Sequence, residues 1–102
     1  MKMANGNLIL TRRIGEGTRI GTNGAMLRVK EIRSPKHIWP SVVAVLTYKG
    51  KTHEVITGGN CRLADDIKVE VLERSNRQTL RLGFNAPREI NIVREEVEKR
   101  NG

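Results

Sequence analysis

Leu8-Ile9-Leu10-Thr11-Arg12-Arg13-Ile14-Gly15-Glu16 opens as a short apolar strand and closes on two adjacent arginines and a glycine turn. Successive side chains of an extended strand point to opposite faces, so Arg12 and Arg13 cannot share one surface. One is expected over the sheet face and the other across its edge, an arrangement suited to a polymer backbone that wraps around that edge. Residues 1–7, ahead of this strand, contain Gly6 and two asparagines without periodicity and read as an N-terminal arm.

Beyond Gly17 the pattern stays extended. Met26 to Ile32 alternates after a turn at Thr22-Asn23-Gly24, and Ser34-Pro35-Lys36 interrupts it. Val42 to Tyr48, Lys49-Gly50-Lys51 and Thr52 to Thr57 spell strand, tight turn, strand. Gly58-Gly59-Asn60 ends that hairpin. Ile67, Val69 and Val71 then alternate with Lys68 and Glu70, Leu80, Leu82 and Phe84 follow after a turn at Ser75-Asn76-Arg77, and Ile90 with Ile92 marks a last strand after Asn85-Ala86-Pro87. Only residues 93–100 read as helix: Glu95 is spaced to meet Lys99, Glu96 to meet Arg100, and Val93 shares a face with Val97. So short a helix is marginal alone and must dock. The fold class is therefore all-β with a short C-terminal helix.

The 102 residues fit one domain, whose core must be aliphatic because Trp39, Tyr48 and Phe84 are the only aromatics. Oligomerisation would add apolar burial that so small a core lacks. The net charge of +8 points to an anionic partner. It is unevenly spread: residues 63–102 balance eight basic side chains against eight acidic ones, whereas residues 21–62 carry seven against two. A single cysteine, Cys61, allows no intrachain disulfide and fits a reducing compartment, and no apolar run reaches the length of a membrane helix, so a cytoplasmic protein is expected.

Three catalytic or cofactor patterns fail on inspection. Gly15-x-Gly17 followed by Gly21 has its third glycine one position too late for a dinucleotide loop. Gly50-Lys51-Thr52 resembles the end of a phosphate loop, but Val45 stands where the leading glycine belongs. His37, His53 and Cys61 are too scattered for a zinc signature. No catalytic residue, metal or cofactor is expected. Arg19 to Ser34 echoes Arg62 to Ser75, since each runs Arg-Ile/Leu, turn, alternating segment, Arg-Ser. Two such stretches do not make a repeat architecture, and the pattern alone is ascribed to chance.

Leu8 to Glu16, together with Leu82-Gly83-Phe84-Asn85-Ala86-Pro87-Arg88-Glu89-Ile90 and Val93-Arg94-Glu95-Glu96, resembles the carbon storage regulator family, CsrA/RsmA. Leu63 to Val71 resembles that family's second strand, so the similarity covers Leu8 to Glu16 and about Leu63 to Arg100. The resemblance implies an intertwined, strand-exchanged homodimer of five-stranded protomers. It also implies binding of GGA motifs in single-stranded or hairpin-loop RNA, in messenger leaders or small RNAs, with control of translation and mRNA stability. Each RNA site is then composite, built from the first strand of one chain and the last strand of the other, giving two sites per dimer.

Carried over by position, the RNA-binding residues are Leu10, Thr11, Arg12 and Arg13 on one side and Ala86, Pro87, Arg88, Ile92, Val93 and Arg94 on the other, with Arg94 foremost. Arginine planes, aliphatic shelves and strand-edge backbone groups would replace the aromatic stacking usual in RNA readers. Against this stands the plainer reading of vicinal arginines as a solvated edge. The chain departs from the family in a basic, β-rich insertion at about 17–62, which is expected to extend the RNA surface through Arg28, Lys30, Arg33, Lys36, Lys49 and Lys51. Either Ile67 to Leu72 or Ala25 to Arg33 can be aligned with the family's second strand; the former runs on with better spacing. An alternative function is an interaction module that keeps the fold, has lost GGA readout and uses the insertion to bind a protein or another nucleic acid.

Overall fold

The computed structural model describes residues 5–22, 24–76 and 78–101. Among the described residues nine strands and one helix follow in chain order: β1 (Asn5–Arg13), β2 (Gly17–Ile20), β3 (Met26–Arg33), β4 (Val43–Tyr48), β5 (Lys51–Ile56), β6 (Asn60–Ala64), β7 (Ile67–Asn76), β8 (Thr79–Pro87), β9 (Ile92–Arg94) and α1 (Glu95–Asn101). A single 3₁₀ turn, Lys36–Ile38, sits between β3 and β4.

All pairings are antiparallel and form two sheets, in the orders β1-β8-β7-β6 and β5-β4-β3-β2-β9. The period-two pattern explains the packing between them. Leu80, Leu82, Phe84 and Ala86 of β8 face inward with Val69 and Val71 of β7, and meet Leu27 and Val29 of β3 and Ala44, Leu46 and Tyr48 of β4 in one continuous core. The core is aliphatic apart from Phe84 and Tyr48, while Trp39 is exposed. The all-β class with a C-terminal helix thus stands as expected.

The turns follow local chemistry. Lys49 (φ 52°) and Gly50 (φ 77°) both lie in the left-handed region, the geometry of a two-residue hairpin whose twist matches its strands. Gly15 and Gly58, at φ 93° and 88°, turn the chain out of β1 and β5.

Several boundaries differ from those read by pattern. The three strands expected between 17 and 62 are present as β3, β4 and β5, but β2 and β6, four and five residues long, are additional. They are too short to show alternation above background. The last strand is Ile92–Arg94, not Ile90 to Ile92, because the chain first turns through a bond from the Ile90 N–H to the Pro87 carbonyl. The helix starts at Glu95, since Val93 pairs with Arg19 in the sheet. Arg77, in the turn between β7 and β8, lies outside the described residues, as do Asn23 of the turn expected at Thr22-Asn23-Gly24 and residues 1–4 of the N-terminal arm.

Segment 17–62 is not an appendage. Leu27, Val29, Val42, Ala44 and Leu46 are each at most 1% exposed and supply the inner face of the second sheet. Two chain crossings tie the sheets together: β1 leaves its own half to pair with β8, and β9 leaves the first sheet's run to pair with β2.

Candidate nucleic-acid interface

β1 is an edge strand, bonded on one side to β8. Its register sets Leu8 opposite Phe84, Leu10 opposite Leu82 and Arg12 opposite Leu80, all on the inner face. The intervening residues Ile9, Thr11 and Arg13 therefore face out, and all three are exposed. The alternation that separates the two arginines in sequence separates them in space: Arg13 is on the surface and Arg12 is 2% exposed.

A guanidinium can be buried only if its donors are met. Arg12 meets all five. Nε donates to the Thr11 carbonyl (3.1 Å), Nη1 to the Gly17 carbonyl (3.2 Å) and to Glu96 Oε1 (3.2 Å), and Nη2 to Glu96 Oε2 (2.6 Å) and Glu16 Oε1 (2.7 Å). The same Glu16 oxygen accepts the Arg13 backbone N–H at 2.7 Å, which fixes the turn after β1. Arg12 was expected to line an RNA site directly. With every N–H used inside the protein, it instead holds β1, the Gly17 turn and α1 in one arrangement.

The helix is fastened by two further arginine–glutamate pairs. Arg28 of β3 grips Glu95 through two parallel bonds of 3.0 Å each, and Arg19 of β2 reaches Glu98 at 2.6 Å. The carboxylates of Glu95, Glu96 and Glu98 fall in the first turn of α1, where the helix dipole favours negative charge. The pairs expected within the helix, Glu95 with Lys99 and Glu96 with Arg100, involve side chains that lie outside the described residues.

The Glu96 carboxyl is held below the ordinary carboxylate range, chiefly by its hydrogen bonds from Arg12, against a smaller opposing effect of burial. A group with a depressed folded pKa stabilises the fold above its unfolded value, here the usual 4.5, and that contribution fades as pH falls through the folded value. Glu96→Gln is accordingly expected to be less stable than the parent at pH 6, with the gap closing below about pH 4.5. Urea unfolding across pH 3–7 checks this, and a gap independent of pH would exclude an electrostatic role.

β9 runs along β2 with Ile92 opposite Ile20, Val93 opposite Arg19 and Arg94 opposite Thr18. Ile92 is half-buried against the core, whereas Arg94 is exposed and close enough to Glu96 to contribute to its lowered pKa. The remaining residues gather at the start of β1. A shallow cleft there is lined by Asn7, Leu8, Phe84, Ala86, Pro87, Arg88, Ile90 and Ile92. Ala86 is buried, Pro87 half-buried and Arg88 exposed. The two separated sequence blocks thus meet along β1: Ala86, Pro87, Arg88 and Ile92 at its beginning, the Arg12–Glu96 lock with Arg94 towards its end. Leu10 forms the floor between them, packed against the core.

The six auxiliary cations do not form one patch. Arg28 is engaged by Glu95, and Arg33 bonds Glu31 and Glu54 across the exposed face of β3, β4 and β5. Lys30 stands exposed at a β3 bulge, Lys36 in the 3₁₀ turn, and Lys49 and Lys51 at the β4–β5 hairpin, where the Lys49 ammonium lies 5.5 Å from the Tyr48 ring centroid. Pattern reading passed over the three residues that organise the site, Glu16, Glu95 and Glu96. The spacing of Arg12 and Glu16 carried a signal, but no local feature indicated that Glu96 closes on Arg12 from the far end of the chain.

The CsrA family, described as a global regulator protein family, matches residues 45–101, more than half of the chain. The chain belongs to the CsrA family. It is therefore an RNA-binding, post-transcriptional regulator in class, and its family is regulatory and not catalytic. No curated protein matches the CsrA-family chain closely enough to name as a relative, and no solved structure does. Among the described residues no helix is long and apolar enough to cross a membrane.

Proposed function

We propose that this CsrA-family chain binds GGA motifs in messenger leaders or small RNAs, in the cytoplasm, and thereby controls translation and mRNA stability. The observation that carries the reading is the cleft that Leu8 of β1 shares with Pro87, Arg88 and Ile92 of the second block, with Arg94 exposed two residues further on and Arg12 withdrawn into the lock that holds α1. Exposed arginine forks suit guanine O6 and N7 and the phosphates on either side. Exposed Leu8 with half-buried Pro87 and Ile92 offers an aliphatic shelf for unstacked bases in a chain almost without aromatics.

Lys30 of β3, Lys36 of the 3₁₀ turn and Lys49 and Lys51 of the β4–β5 hairpin lie outside the cleft and serve at most longer RNAs through phosphate contacts. Titrating a GGA-loop hairpin against a hairpin of the same composition with the GGA scrambled, at one fixed salt concentration, tests the proposal. Tighter binding of the GGA loop by tenfold or more is expected. Equal affinity would exclude GGA readout and favour an interaction module acting through other surfaces.

A further inference from the structure

We infer that the chain is two copies of one structural unit joined in tandem, that it completes within itself a strand exchange otherwise made between two chains, and that it keeps only one of the two composite sites. The first copy is β1–β4, and the second is β5–β8 followed by β9 and α1.

The evidence is a repeat of register at the level of single hydrogen bonds. In the first copy the N–H of Ile14 donates to the Gln78 carbonyl (2.9 Å), Gly15 to Val29 (2.7 Å), Glu16 to Arg13 (3.0 Å) and Val29 to Glu16 (3.2 Å). In the second, Thr57 donates to Val42 (2.9 Å), Gly58 to Val71 (2.7 Å), Gly59 to Ile56 (2.8 Å) and Val71 to Gly59 (3.0 Å). Gly15 and Gly58 hold the same left-handed turn. The central pairs also coincide. Val29 faces Leu46 and, after one bulged residue, Glu31 faces Val45; Val71 faces Leu82 and, after one bulged residue, Glu73 faces Arg81. A bulge is a specific irregularity, and its recurrence at the same step of the same ladder is not a generic property of β-strands.

The exchange is reciprocal. β1 of the first copy closes the β8 edge of the second, and β5 of the second closes the β4 edge of the first. The echo between Arg19–Ser34 and Arg62–Ser75, which pattern alone ascribes to chance, is thus a structural correspondence from Arg19 and Arg62 to Glu31 and Glu73, whereas its closing Arg-Ser pairs fall out of register. Segment 17–62 is not an insertion, and Met26–Arg33 of the first copy and Ile67–Asn76 of the second are counterparts of one another. The family match to residues 45–101 spans the second copy, β5 to α1, entire.

Beyond differences in the connecting turns and the strand ends beside them, the symmetry breaks at one sheet edge. The outer edge of β2 is covered by β9, but the corresponding edge of β6 has no paired strand among the described residues, because β4 turns through Lys49-Gly50 directly into β5. The second copy's equivalents of Arg12 and Arg13, read from the matching ladders, are Val55 and Ile56. The side that lacks a β9 strand therefore also lacks both arginines and holds a valine 6% exposed in place of the buried guanidinium. Loss of both halves of one site leaves one site per chain.

The stoichiometric part rests on the RNA reading proposed above, and the fold part does not. Sedimentation equilibrium of the full chain at micromolar concentration is expected to give a single species at the chain mass of 11.5 kDa. An RNA carrying one GGA hairpin should saturate at one RNA per chain, and an RNA carrying two should load two chains. A species of twice the chain mass overturns the self-completed fold. Two RNAs, or half an RNA, bound per chain overturns the single site even if the chain is monomeric. If neither GGA nor scrambled RNA binds, the RNA reading and the site count both fall, while sedimentation still decides the fold.

Discussion

Replacing Arg12 with alanine is expected to lower the unfolding free energy by about 2–3 kcal/mol, seen as a lower urea midpoint with an unchanged slope. Breaking a fully buried ion pair costs about 3–5 kcal/mol because the surviving charge is stranded. That is the upper bound here. The Arg12 side chain is 2% exposed, but its partners Glu16 and Glu96 are 33% and 44% exposed and can take up water when it leaves. What remains is the loss of the packed stem, the Gly17 carbonyl left without its donor, and the release of α1. A helix of seven residues does not persist without docking, so the loss should also raise hydrogen exchange across α1 and β9. Arg12→Lys should recover little, since one ammonium cannot serve two carboxylates and two carbonyls in a planar fork. A midpoint unchanged within error would show that Arg12 is a solvated edge residue after all.

Replacing Arg94 with alanine should do the reverse. Arg94 is exposed and its charge is the smallest of the influences on Glu96, so its loss should change stability by about 0.5 kcal/mol or less. Its loss should weaken binding of a GGA hairpin by about 1–3 kcal/mol, the scale of one good arginine contact to a guanine. Direct titration at constant salt separates this from a general loss of charge, because removing a phosphate contact would weaken GGA and scrambled hairpins alike and reduce the salt slope by about 0.7. Unchanged GGA affinity would remove Arg94 from the site. The pair of variants therefore tests a division of labour between neighbouring arginine positions: one acts on the fold, the other on the ligand.

The difference between Arg12 and Arg13 was legible early, because a strand's period of two obliges adjacent side chains to part. Which of them turned inward was not legible. It depends on the register of β1 against β8, where Arg12 meets Leu80, and on two carboxylates, one of which is 84 residues away. The charged helix shows the same limit. Its glutamates are spaced to pair with Lys99 and Arg100, but nothing in that spacing indicates that the sheet presents Arg28, Arg12 and Arg19 to them. Likewise β2 and β6 are short enough that only their ladder partners define them.

The sequence by itself determined the all-β class, the aliphatic core, the hairpin at Lys49-Gly50 and the family, since these follow from periodicity, turn residues and two blocks of local pattern. Tertiary structure alone decided how the segment at 17–62 relates to the rest. Strand pairing is set by which edges can close on which, a property of the whole chain. Two strands with unlike side chains, such as β1 and β5, can fill equivalent places because backbone hydrogen bonds carry no residue identity. That is why the correspondence of the two halves is faint in the letters and plain in the register.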